Sequence, residues 1–214
     1  MTARKKTDDP RSQPPRRRSP VGLRIIGGQF RGRQLLYSGD LATRPMRDRV
    51  REAVFSILRD AVVDARVVDL FAGTGAMGLE AVSRGAQSAL FVERDRLAAQ
   101  FIRKNLDKLG LGRRGEVVAA DVFSWWKYHP PFPAGPHVVF CCPPYRLYSE
   151  AGEAMEELIA GLVREIPPQS VLMIESDDRF ATDRLPHPEL WDVRRYPPTK
   201  VAFYWKEGGG DTAA

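Results

Sequence analysis

Asp69-Leu-Phe-Ala-Gly-Thr-Gly-Ala-Met-Gly-Leu-Glu80 is the stretch that decides the fold of this chain. An apolar strand, Val67 to Phe71, runs straight into a glycine-rich turn and then into a helix. Gly73 and Gly75 let the backbone turn tightly and approach a ligand, while Gly78 lets the new helix pack on the strand. The start of the helix offers N–H groups to a polar or anionic ligand group. A strand, a glycine turn and a helix in that order form the cradle of a nucleotide-like cofactor, with Phe71 and Ala72 on its inner wall.

The spacing Gly73-x-Gly75-x-x-Gly78 satisfies the dinucleotide fingerprint, and Glu93 ends the next strand about 20 residues after the first glycine, where a ribose-binding acid belongs. Spacing alone therefore fits both NAD, with an oxidoreductase, and S-adenosylmethionine. Asp69 tilts the choice. A carboxylate beside the ligand suits the ammonium of a methionine moiety and repels a pyrophosphate.

A chain of 214 residues, 43% hydrophobic and 28% charged, can bury one sizeable core as a single domain with an appendage. No apolar run approaches membrane-spanning length, and the basic, proline-rich N-terminus lacks the apolar segment of a secretory signal. The expected address is the cytoplasm, with no membrane partner. Adjacent Cys141 and Cys142 give neither a disulfide framework nor a metal quartet, and three scattered histidines add no metal site.

Charge is concentrated at one end. Residues 1–60 hold 15 Lys/Arg against 6 Asp/Glu, although the whole chain is only +6. Residues 1–20 are basic and proline-rich with little to bury, and read as a disordered tail; the glycine-rich residues 207–214 read as a flexible one. Between them, Leu23, Ile25, Ile26, Phe30, Leu35 and Leu36 alternate with Arg24, Arg31 and Arg33 around glycines. That pattern predicts a basic β-hairpin able to lay cations along a phosphate backbone. A helix follows, led by Pro45 and Asp48, with Val50, Val54, Ile57 and Leu58 on its buried face and Arg47, Arg51 and Glu52 opposite. Beside the hairpin, Arg47 and Arg51 extend the cationic surface, so residues 21–60 read as an RNA-facing unit.

From residue 66 onward strands and helices alternate, the pattern of a mostly parallel sheet covered on both faces. Helices are expected over 76–84 and 95–109, each closed by a C′ glycine, and over 150–166. Strands are expected over 116–119, 137–141 and 171–176, with a final antiparallel hairpin from 191–196 and 201–205. In such a sheet the ligand lies outside the carboxyl ends of the strands where their order reverses. Gly73 and Gly75 then shape the methionine end, Glu93 takes the ribose hydroxyls and Asp121 accepts from the adenine amino group. Trp125 and Trp126 either pack on the core or reach RNA, and Arg146 and Tyr148 stand close enough to touch it.

The fourth loop, Cys141-Cys142-Pro143-Pro144-Tyr145-Arg146, is suited to methylating an exocyclic amine. The nitrogen lone pair of such an amine is conjugated with its ring, so the site must hold the amine by its hydrogens and aim it. A Pro143-Pro144 turn is stiff enough for that, the Pro143 carbonyl can accept one hydrogen, and Tyr145 can stack on an extruded base.

From residue 23 to 205 the chain resembles the RsmD-type bacterial 16S ribosomal RNA (guanine-N2)-methyltransferases. The residues that carry the resemblance are Arg24-Ile-Ile-Gly-Gly28, Arg31-Gly-Arg33, Thr43-Arg-Pro45, Asp48-Arg-Val-Arg-Glu-Ala53, the Asp69–Glu80 loop, Ser83-Arg-Gly-Ala86, Val92-Glu93 and Pro143-Pro-Tyr145. The resemblance implies a class I S-adenosylmethionine-dependent methyltransferase domain over 61–206, with a seven-stranded, Rossmann-like, mostly parallel sheet and an antiparallel last strand. It further implies an RNA-facing N-terminal hairpin, a Thr43-Arg44-Pro45 segment close to the cofactor and target, and the 30S subunit or an assembly intermediate as substrate; a monomer is expected. One position departs from the family's loop, which reads Asp-Pro-Pro-Tyr. Cys142 replaces the carboxylate, and a thiol is only a weak acceptor. Losing a hydrogen bond to a charged group costs about 1.5–3 kcal/mol, or one to two orders of magnitude in rate. A catalytically impaired, cofactor-binding assembly protein is therefore the alternative reading. Cys142 as a nucleophile is disfavoured, because carbon-methylating enzymes place that cysteine after the proline.

Overall fold

The computed structural model describes residues 22–39, 45–128 and 132–208. The expected tail over 1–20, the end of the expected C-terminal tail and Arg44 lie outside them. A seven-stranded sheet runs in the order β3-β2-β1-β4-β5-β7-β6. Its members are β1 (Arg66–Leu70), β2 (Ser88–Val92), β3 (Gly115–Val118), β4 (His137–Cys141), β5 (Val171–Asp177), β6 (Trp191–Tyr196) and β7 (Thr199–Trp205). The first five are parallel, and β7 lies antiparallel between β5 and β6. The order reverses between β1 and β4, which puts the crevice at the carboxyl ends of those two strands.

Helices cover both faces. α1 (Asp48–Leu58), α2 (Ala76–Ser83) and α3 (Arg96–Lys108) bury Val54, Phe55, Leu58, Leu79 and Ile102 in one core with Phe91, Phe140 and Phe203 of the sheet. α4 (Val122–Tyr128), the short α5 (Leu147–Glu150) and α6 (Gly152–Glu165) form the second core with Leu70, Val139, Leu172 and Ile174. Every β4 residue is buried, as a central parallel strand requires. The helix expected over 150–166 is broken at Ala151, whose backbone leaves helical geometry and divides α5 from α6. Among the described residues no helix is long and apolar enough to cross a membrane.

Two expectations need correction. Among the described residues the N-terminal hairpin is one bridge, Arg24 to Gln34, rather than an extended ladder: the Ile25 and Leu35 N–H groups donate to the Arg33 and Leu23 carbonyls at 3.0 and 2.7 Å around a glycine-rich loop with Gly28 and Gly32 at positive φ. Side chains of the domain hold the loop from outside. Buried Glu80 takes the Ile26 N–H at 2.8 Å, Ser83 Oγ takes the Phe30 N–H at 2.9 Å, and Asn105 bonds both the N–H and C=O of Leu36 at 2.8 and 2.9 Å.

Arg51 is the second correction. It is fully buried and does not face RNA. Its Nη2 donates to the Arg24 carbonyl at 2.6 Å and to Asp48 at 3.1 Å, and its Nε lies 4.0 Å from Glu80. Burial lowers its pKa, opposed by the Glu80 and Asp48 carboxylates. The charge is a strut between α1, the N-terminal loop and α2.

Candidate active site

A cavity of about 650 Å³ opens at the β1/β4 crevice, within the range of small-molecule sites. The strand–turn–helix stretch forms one wall. Phe71 and Gly73 take positive φ, 57° and 54°, so the chain reverses sharply after β1. A Cβ built on Gly73 would meet only the Phe71 carbonyl, at 3.8 Å, and would otherwise enter open space. Gly75 and Gly78 do not line the cavity; they stand behind the loop. A Cβ on Gly75 would press on Ile102 at 2.9 Å, and one on Gly78 would meet the Phe91 ring at 2.8 Å and closer.

The acids are arranged around this turn. Asp69 is 2% exposed, accepts the Gly78 N–H at 2.9 Å and so ties α2 to β1. Burial pushes its carboxyl up to about 8, with the Gly78 N–H opposing and Glu93 adding. Glu93 accepts N–H bonds from Gly73 at 2.6 Å and Asp95 at 2.7 Å, one on each oxygen. Each oxygen keeps a lone pair for a further donor. Asp121 Oδ1 takes the Ser124 N–H at 3.1 Å at the start of α4. Asp69, Phe71, Ala72, Gly73, Glu93 and Asp121 all line the cavity. A wall so rich in acceptors fits S-adenosylmethionine, which offers an ammonium, two ribose hydroxyls and an adenine amine as donors.

Cys142, Pro143, Pro144 and Tyr145 form the facing wall of the same cavity. Tyr145 Oη donates to Glu175 Oε1 at 2.8 Å and lies 3.0 Å from Thr199 Oγ1. The ring is thereby fixed at its far end. Burial, then the neighbouring Glu175, pushes the Tyr145 hydroxyl up. Burial does the same to Cys142, reinforced by neighbouring Glu175 and Asp69, so its thiol stays protonated. Cys141 is fully buried and closes β4.

Arg47 also lines the cavity, with Nη2 on the carbonyls of Tyr196 at 3.1 Å and Pro197 at 2.9 Å. Arg31 and Arg33 are exposed, and Arg24 is exposed with Asp48 at 3.6 Å. Trp125 and Trp126 pack on the second core, and Trp126 meets α6 at Gly161. Tyr148 is buried with its hydroxyl on the Glu175 carbonyl, while Arg146 stays on the cavity rim beside Glu150.

Glu175 and Thr199 were missed by the sequence reading. The rule that picked Glu93 and Asp121, an acid at the carboxyl end of a strand, applies equally to Glu175. Thr199 carries no comparable signal, since it reads as the tip of a turn.

The family model described as Conserved hypothetical protein 95 matches residues 23–205. Ribosomal RNA small subunit methyltransferase D of Escherichia coli K12 is 44% identical over 90% of this chain and 94% of its own length. The chain belongs to the RsmD family. The relative of the same name from Haemophilus influenzae is 31% identical over 85% of the chain and 91% of its own length. The solved structure of a hypothetical protein from Thermus thermophilus superposes with a TM-score of 0.66 at 29% identity, covering 86% of this chain and 99% of that one. At 21% identity, the T. thermophilus 16S rRNA N2 G1207 methyltransferase, solved with AdoMet and guanosine, shares the fold at a TM-score of 0.59 over 79% of this chain and 44% of its own. The expected seven-stranded α/β sheet, parallel but for its antiparallel last pair, is what the structure shows.

Proposed function

We propose that the chain transfers a methyl group from S-adenosylmethionine to the exocyclic N2 of a guanine in 16S ribosomal RNA of the small subunit. One observation carries the reading: the Pro143-Pro144-Tyr145 loop and the acceptor-rich Gly73, Glu93 and Asp121 wall share a single cavity. The bound cofactor supplies an electrophilic methyl on a sulfonium. Asp69 and Gly73 hold its methionine end, Glu93 the ribose and Asp121 the adenine, with Phe71 and Ala72 completing that wall. Across from them the Pro143 carbonyl accepts one hydrogen of the target amine and Tyr145 stacks on the base.

The exposed side of the N-terminal unit faces the RNA, with Arg24, Arg31, Arg33 and Arg47 along the phosphates. The enzyme acts as a monomer in the cytoplasm on a 30S particle or an assembly intermediate. The test is transfer of label from tritiated S-adenosylmethionine into small-subunit particles that lack the modification, followed by nucleoside mass spectrometry. N2-methylguanosine is expected. No label, under conditions where a control methyltransferase labels the same particles, ends the proposal.

A further inference from the structure

The position where the family's loop carries a carboxylate holds a thiol here, yet the cavity is not short of an acceptor. β4 and β5 run parallel with Cys141 opposite Ile174, so the next step along each strand brings Cys142 and Glu175 side by side. Glu175 lines the cavity with Cys142, Pro143 and Tyr145. Two hydroxyls fix it: Tyr145 Oη donates to Oε1 at 2.8 Å and the Tyr148 hydroxyl donates to its backbone carbonyl at 2.8 Å. Arg47 lies within electrostatic reach. A protonated thiol beside Glu175 can only donate to that carboxylate, the reverse of what an aspartate would do. An aspartate in its place would put two carboxylates against each other, and one would have to hold a proton.

We propose that Glu175 is a catalytic residue: its carboxylate, steered by Tyr145, takes over the acceptor role of the missing loop carboxylate and holds a hydrogen of the target amine. The inference rests on the methyltransferase reading above. As the methyl arrives, the amine nitrogen's lone pair forms the new N–C bond and the S–CH3 bond breaks, its electron pair remaining on sulfur. The surplus proton on nitrogen leaves along the hydrogen bond to Glu175 and from there to water. Burial raises the Glu175 pKa, against the Tyr145 hydrogen bond and Arg47, which makes the carboxylate a better proton acceptor than an exposed one.

Glu175→Gln tests this with little change of shape, because the amide oxygen still accepts from Tyr145. Initial rates on modification-deficient 30S particles are compared with calorimetric affinity for S-adenosylmethionine. The expected result is a kcat lower by about 10- to 100-fold, with cofactor affinity within about twofold of wild type. Cys142→Asp in the Glu175→Gln background restores the rate at least about tenfold, because an acceptor returns from the other wall; alone it gives no gain, because two facing carboxylates compete. Wild-type kcat in Glu175→Gln overturns the inference. So does a Cys142→Asp/Glu175→Gln chain that binds cofactor but is no faster than Glu175→Gln, or a tenfold gain from Cys142→Asp alone. Absence of label with the wild-type chain removes the methyltransferase reading itself, whereas normal wild-type label with an unaffected Glu175→Gln removes only this inference.

Discussion

Two glycines of one loop make a paired test, because the structure gives them opposite tasks. At Gly78 an alanine would gain up to about 1 kcal/mol from helix propensity and reduced unfolded-chain freedom. Against this, its Cβ lies 2.8 Å from Phe91 Cζ and nearer still to Cε1, and Phe91 is fully buried. Overpacking of such a core costs about 1–3 kcal/mol and occasionally more. The closeness of the contact places Gly78→Ala at the upper end, for a net loss of about 2 kcal/mol. In a domain of this size that lowers Tm by about 4–8 °C. At Gly73 the Cβ meets nothing nearer than 3.8 Å, and the cost is the left-handed backbone at φ 54°, about 1 kcal/mol. That methyl, however, projects into the cavity where the cofactor belongs. Thermal unfolding followed by circular dichroism, with calorimetric titration of S-adenosylmethionine, separates the two. Gly78→Ala loses the larger share of Tm; Gly73→Ala loses the larger share of cofactor affinity, at least about tenfold, with a shift of about 2–4 °C. A Gly78→Ala chain that melts with wild type, or a Gly73→Ala chain that binds cofactor as wild type does, refutes the assignment.

Other outcomes follow from the buried and exposed charges. Asp69 keeps its proton to about pH 8 in the folded chain but loses it near 3.8 when unfolded, so its stabilisation is complete below that lower value and fades as pH rises to about 8. The slope is about 1.4 kcal/mol per pH unit, so Asp69→Asn gains on wild type across that window in denaturant titrations; parallel pH profiles refute the shift. Arg51→Ala removes the buried strut and costs about 3–5 kcal/mol in urea unfolding, while leaving the salt dependence of RNA binding unchanged. Arg31→Ala/Arg33→Ala does the reverse: Tm holds, RNA affinity falls, and the log–log salt slope drops by about 2, checked by filter binding.

Much of this molecule is legible in its sequence because its information is local. A glycine turn between an apolar strand and a helix announces itself, and Asp69, Glu93 and Asp121 stand at the carboxyl ends of three successive strands that a linear reading can count off. What stayed hidden depends on partners distant along the chain. Arg51 sits on what reads as the polar face of α1, and only the Arg24 carbonyl and Glu80 turn that face inward. Lys200 reads as a turn residue, yet β7 begins at Thr199 and Lys200 is buried with its ammonium on the carbonyls of Asp178 and Phe180. The pairing of Cys142 with Glu175 requires the β4–β5 register, which no single segment encodes.

Leu23, Ile25 and Leu35 anchor the N-terminal loop in the core, and the domain's polar side chains grip it by its backbone. Glu80, Ser83 and Asn105 hold amides and carbonyls of Ile26, Gly27, Phe30 and Leu36, none of which depends on what the outward side chains are. Shape and surface chemistry are therefore separable in this segment. Arg31 and Arg33 are exposed fittings on a fixed mount, and a different set of side chains there would change the charge this face presents without asking the methyltransferase domain to refold.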